Sequence, residues 1–234
     1  MLEALKEEVC RANIELSSRG LAPYTWGNVS GIDRKSNLIV IKPSGVRYEE
    51  LKADLMVVVD LEGEIVEGNL NPSSDTQTHI ELYKAFNNAN GIAHTHSTYA
   101  VAWAQAGLDI PCYGTTHADY FYGYIPCTRI LKETEVAENY EKKTGEVIVE
   151  TFHKRALSSV DIPGIICNGH GPFTWGKSAV EAVFHAVVME EVAHMAWLTY
   201  QLNPNITTLA SYVCDKHYFR KHGKAAYYGQ HMGL

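Results

Sequence analysis

The 234-residue sequence predicts an α/β fold in a single domain, with a mixed or antiparallel sheet covered by helices. Three observations predict it. Apolar residues recur at helical spacing near both ends of the chain. Short β-branched runs bounded by turn residues lie between them. Strands alternate with helices irregularly, and some neighbouring strands are joined by short turns, unlike a regular β-α-β repeat. Hydrophobic residues make up 46% of the chain and charged residues 20%, enough apolar material for one well-buried core. No linker, repeat or low-complexity stretch divides residues 1–234.

Leu2, Leu5, Val9, Ala12 and Leu16 predict a helix over 2–19, closed by Gly20. Leu38–Ile41 and Met56–Val59 read as strands, with Gly63–Glu67 as the hairpin partner of the second. Pro72-Ser73-Ser74-Asp75 marks the start of a helix over 75–89. Gly91-Ile92-Ala93 reads as a short buried strand, and Thr98–Ala106 as a helix ended by Gly107. The aromatic and glycine-rich segment 110–130 reads as a strand with functional loops, and 147–152 and 164–168 as short strands. The best-signalled helix spans Ala179–Leu202. Ser178 and Glu181 form a capping-box pattern at its start, and Asn203-Pro204 stops it. His185 and His194 within it read as packing or surface histidines.

The formal charge of -7 argues against non-specific nucleic-acid or membrane-surface binding. Met1–Gly20 is too charged for a secretory leader, and no apolar run reaches membrane-spanning length. Five scattered cysteines without a Cys-x-x-Cys pair read as reduced thiols, which points to a cytoplasmic protein. No Gly-x-Gly-x-x-Gly follows a strand, which argues against a dinucleotide site.

His94-Thr95-His96 is the most informative segment. Residues two apart on extended chain share a face, so both imidazoles project together. His170, in Asn168-Gly169-His170-Gly171, would complete a three-nitrogen site. Three protein ligands and one open position mark a catalytic metal, acting as a Lewis acid on a carbonyl or a developing enolate. Taken alone, His-x-His also fits surface or hydrogen-bonded core histidines. Three segments could cradle a phosphate: Thr25–Ser30, Lys42–Gly45 and Pro72–Asp75. Each also fits ordinary turn chemistry, with Ser74 or Asp75 as an N-cap.

Together these segments identify a resemblance. Gly27-Asn28-Val29-Ser30, Lys42-Pro43-Ser44-Gly45, Pro72–Thr76, His94–Ser97, Thr115–Tyr120 and His170–Phe173 occur in the order seen in the class II aldolase/epimerase superfamily. The match runs from the first helix to Tyr227-Tyr228-Gly229-Gln230 and is closest to the L-ribulose-5-phosphate 4-epimerases. The resemblance implies a three-layer α/β/α fold around a largely antiparallel sheet, and one zinc ion per subunit, with manganese or cobalt as substitutes. His94, His96 and His170 match the ligands, and Asp75 the acidic residue at the metal. Related aldolases carry a glutamate there, so the shorter Asp75 points to the epimerase branch. Gly27, Asn28, Ser44, Gly45, Ser73 and Ser74 match the substrate and phosphate loops, with Lys42 adjacent. Asp119 and Tyr228 match the acid/base pair, and His217 is a weaker candidate for substrate contact.

The implied reaction interconverts L-ribulose 5-phosphate and D-xylulose 5-phosphate, a step of L-arabinose or L-ascorbate use. Removing a proton at C4 would leave an unstabilised carbanion. Cleaving C3–C4 instead leaves an enediolate that a metal stabilises. Glycolaldehyde phosphate then turns over and adds back. The alternative reading is a class II aldolase that releases the aldehyde. The superfamily also implies a homotetramer with active sites between subunits. The tail from about residue 225 would then reach an active site, and residues 230–234 read as disordered.

Overall fold

Along the central strands, successive side chains alternate between two cores, and this sets the layering. The computed structural model describes residues 2–223 and 226–228. Seven strands form one sheet: β1 (Asn28–Asp33), β2 (Leu38–Ile41), β3 (Val57–Val59), β4 (Ile65–Glu67), β5 (Gly91–His94), β6 (Gly164–Ile166) and β7 (Pro172–Gly176). Their order is β4-β3-β2-β1-β5-β7-β6, and each of these pairings is antiparallel. One parallel bridge joins Cys127 to Ile166 at the edge.

Ile39, Ile41, Val57, Val59 and Ile92 belong to the core on one face, and Val40, Val58 and Ala93 to the core on the other. This is the two-residue period of a sheet buried on both sides. Helix α1 (Glu3–Ser18) and the first half of α6 (Ala179–Leu202) cover the second face. Helices α2 (Thr76–Ala85), α3 (Thr98–Ala106) and α5 (Glu133–Lys154) cover the first. The short helix α4 (Thr115–Ala118) packs against α7 (Ser211–Phe219). The fold is therefore a single α/β domain in three layers.

Several sequence expectations hold. Gly20 and Gly107 follow α1 and α3 in the left-handed conformation. The Ser178 hydroxyl caps α6 by accepting from the Glu181 amide at 3.1 Å. Others need correction. Residues 147–152 lie within α5, because an apolar run of that length fits a buried helix as well as a strand. Helix α2 ends at Ala85, short of residue 89. The 110–130 segment forms no strand of the sheet among the described residues, but a bridge from Ile110 to Ile125, the parallel bridge from Cys127 to Ile166 and the single turn of α4. Strands β1 and β7 are additions to the expected set. Asn28–Ser30 reads as a loop, yet it begins β1 beside the middle of the sheet. Residues 230–234 lie outside the described residues.

Candidate functional site

The site forms where β1 and β5 end together. Asn28 pairs with His94 across the ladder, and His94 pairs with Phe173 of β7 on its other side. Gly27 permits this closeness: its φ is +84°, and a Cβ there would sit 2.5 Å from the His94 carbonyl oxygen. The His94 ring stacks on Phe173 with centroids 4.2 Å apart, and its Nδ1 lies 2.9 Å from the Pro172 carbonyl. A carbonyl only accepts, so Nδ1 carries the proton and Nε2 keeps its lone pair. That Nε2 is 3.2 Å from Nε2 of His96. His170 arrives on the turn between β6 and β7, its centroid 4.7 Å from His94 and 5.1 Å from His96.

One ligand atom from each of His94, His96 and His170 lies within 4.8 Å of the others. Burial lowers the pKa of all three, and that of His170 to about 4. Three neutral imidazoles meeting at one point are donors suited to a divalent cation such as zinc. Asp75 lines the same cleft but stands outside this cluster, its Oδ2 accepting from Asn28 Nδ2 at 2.7 Å. Burial raises its pKa, but attraction to the protonated forms of His94, His79 and His170, together with the Asn28 hydrogen bond, outweighs burial and holds it below the ordinary carboxylate range. The Oδ1 of Asn28 is buried without a partner among the described residues, an acceptor open to a ligand hydroxyl.

The cleft measures about 510 Å³, and every expected loop contributes to it: Gly27, Asn28, Lys42, Ser44, Gly45, Ser73 and Ser74. Two of these loops are tied together, with Pro43 bridging Pro72 and the Ser73 amide donating to the Lys42 carbonyl at 3.0 Å. Lys42 is 2% exposed, and no carboxylate pairs with it among the described residues. Its ammonium lies 3.3 Å from the Pro43 carbonyl and 5.0 Å from the Tyr48 ring centre, and burial lowers its pKa to about 8. Such a buried, unpaired cation suits an anionic ligand.

Asp119 and Tyr228 are together, but neither lines this cleft. Arg220 holds the Asp119 carboxylate in a fork at 3.0 and 2.9 Å, and His217 Nδ1 is 3.1 Å away. Burial raises the Asp119 pKa, and the Arg220 and His217 hydrogen bonds more than reverse that shift. The exposed Tyr228 ring lies over Arg220 at 5.0 Å and over Lys221 at 4.3 Å. His217 thus joins this second cluster. Of the tail, residues 226–228 are described, and residues 224, 225 and 229–234 are not.

Tyr140 and Glu141 line the cleft, although nothing in the local sequence singles them out. Their placement depends on a break in α5 at Asn139, which no local pattern announces.

The class II aldolase and adducin N-terminal domain family matches residues 7–197. The chain belongs to this family. An L-fuculose 1-phosphate aldolase shares 22% identity with it at a TM-score of 0.77, covering 93% of this chain and 95% of that one. YgbL from Escherichia coli, described as a putative aldolase/epimerase/decarboxylase, shares 24% at 0.69, covering 92% and 97%. L-fuculose-1-phosphate aldolase from Thermus thermophilus shares 22% at 0.67, covering 88% and 98%. These three proteins share the fold of this chain. Among the described residues of this family member, no helix is long and apolar enough to cross a membrane.

Proposed function

We propose that the protein is a metal-dependent 4-epimerase that interconverts L-ribulose 5-phosphate and D-xylulose 5-phosphate. The observation that carries this reading is Asp75, set in the cleft wall beside three converging imidazoles; the sequence resemblance implies a glutamate at this position in related aldolases. His94, His96 and His170 would hold the ion, with zinc the first choice. Once bound there, it supplies Lewis-acid stabilisation of the charge that C3–C4 cleavage leaves on the carbonyl fragment.

The remaining steps belong to the chain. Lys42 and the backbone amides and hydroxyls of Ser44, Gly45, Ser73 and Ser74 hold the phosphate of the aldehyde fragment. That anchor keeps the fragment in place while its carbonyl turns over. As C4 becomes an aldehyde, its hydroxyl gives up a proton, and on re-addition the new alkoxide takes one from the opposite side. Asp119 and Tyr228 serve these two transfers. Because they stand apart from the chain's own cleft, a neighbouring copy in a homotetramer would bring them to it. The apolar side chains exposed along α6, Phe184, Met195, Trp197, Leu198 and Tyr200, support such an assembly.

Aldolase chemistry is the second reading, supported by Glu141, a glutamate that also lines the cleft and could act as a base. The Tyr228→Phe variant tests the epimerase reading. With the metal retained, its epimerisation rate is expected to fall about 100-fold or more, the scale of a lost acid/base group. An unchanged rate would remove Tyr228 from the reaction.

A further inference from the structure

An imidazole that binds a metal through one nitrogen is held in place by what its other nitrogen touches. His94 has the Pro172 carbonyl for this purpose. For His170 the corresponding atom is a side-chain oxygen: the Tyr140 hydroxyl lies 3.3 Å from Nδ1. The two rings are tilted by 45° with centroids 5.9 Å apart. This leaves Nε2 of His170 as the nitrogen available to the cluster with His94 and His96.

We propose that Tyr140 is the positioning residue of the metal centre, accepting a hydrogen bond from His170 Nδ1–H and so fixing both the tautomer and the orientation of that ligand. The inference rests on the metal reading above.

The placement of Tyr140 is built by several contacts. Asn139 leaves the helical conformation at φ −165° and ψ 93°, dividing α5. Its Oδ1 accepts from the Lys142 amide at 3.1 Å and so caps the helix that restarts at Tyr140. Thr144 Oγ1 donates to the Tyr140 carbonyl at 2.8 Å, and Thr78 Oγ1 of α2 donates to the Glu141 carbonyl at 2.6 Å. Helix α2 begins directly after Asp75, so one helix supports both the acidic wall of the cleft and the turn that presents Tyr140. A tyrosine needed only for packing has no use for a hydroxyl beside a ligand nitrogen.

The test compares the wild-type protein with Tyr140→Phe, which keeps the ring and removes the hydroxyl. Zinc affinity is measured by competition with a chromophoric chelator, and site geometry by the visible spectrum of the cobalt-loaded protein. The expected result is affinity about 10-fold to 100-fold weaker, with a changed cobalt spectrum and an unchanged melting temperature of the metal-free protein. Wild-type affinity and spectrum in the variant would overturn the inference and leave the metal centre standing. A fall in the metal-free melting temperature alongside the lost affinity would also overturn it, by marking a structural role. A wild-type protein that binds neither metal would overturn the metal reading and this inference together.

Discussion

Lys42 is buried at the end of β2, facing a carbonyl and an aromatic ring, with no carboxylate partner among the described residues. Its pKa falls to about 8 in the folded chain, from an ordinary value of 10.5. Between those values the unfolded chain holds more protons, so this group makes stability rise with pH there; below about 8 it adds a penalty for a buried charge. A bound phosphate relieves that penalty. Affinity for inorganic phosphate is therefore expected to weaken as pH rises through about 8. Lys42→Met should weaken binding by about 10-fold to 100-fold at pH 7 and flatten that Lys42-dependent change. Calorimetric titration across pH checks this, and an unchanged profile in Lys42→Met would exclude Lys42 from the anion site. These residues are legible in the sequence where the strand period applies. His94 and His96 share a side because extended chain alternates, and Lys42 ends a clear β-branched run. Tyr140 is hidden, because the turn that presents it is held at the Glu141 carbonyl by Thr78, a residue 63 positions before Glu141 in the chain.

The elements meet with little slack. Gly91 opens β5 directly beneath the start of α6, where a Cβ would lie 2.3 Å from backbone atoms of Ser178 and Ala179. Backbone cannot rotate aside as a side chain can, so Gly91→Ala is expected to cost about 3 kcal/mol. Denaturant unfolding measures the change, and an unshifted midpoint would mean that α6 does not rest on β5 as described. Legibility at this scale varies with how local the signal is. Helix α6 announces itself through its cap and its apolar stripe, and β2 and β3 through β-branched runs. Strand β1 does not, since its polar residues Asn28 and Ser30 are buried. Ser30 Oγ lies 2.7 Å from both His79 Nδ1 and Tyr83 hydroxyl, partners on α2 that a local reading cannot supply. Helix α5 escapes such a reading in part because Val147–Phe152 is apolar enough for either structure. Only its packing beside α2 decides between them.

Across the whole molecule, the functional residues fall into two groups. The cleft gathers the imidazoles, Asp75 and the phosphate loops, whereas Asp119, His217, Arg220, Lys221 and Tyr228 gather around α4 and α7. In the proposed reaction the first group binds and cleaves, and the second moves protons for a neighbouring copy. Cleaving C3–C4 takes a proton from the C4 hydroxyl and inverting C4 returns one, so the proposed reaction needs both groups. The measurement that tests this most directly is a carbon NMR time course in D2O with metal-analysed protein and L-ribulose 5-phosphate. The account predicts conversion to D-xylulose 5-phosphate with hydrogen, not deuterium, at C4, abolished by a chelator and restored by zinc. Deuterium at C4, or accumulation of dihydroxyacetone and glycolaldehyde phosphate in place of the epimer, would contradict it.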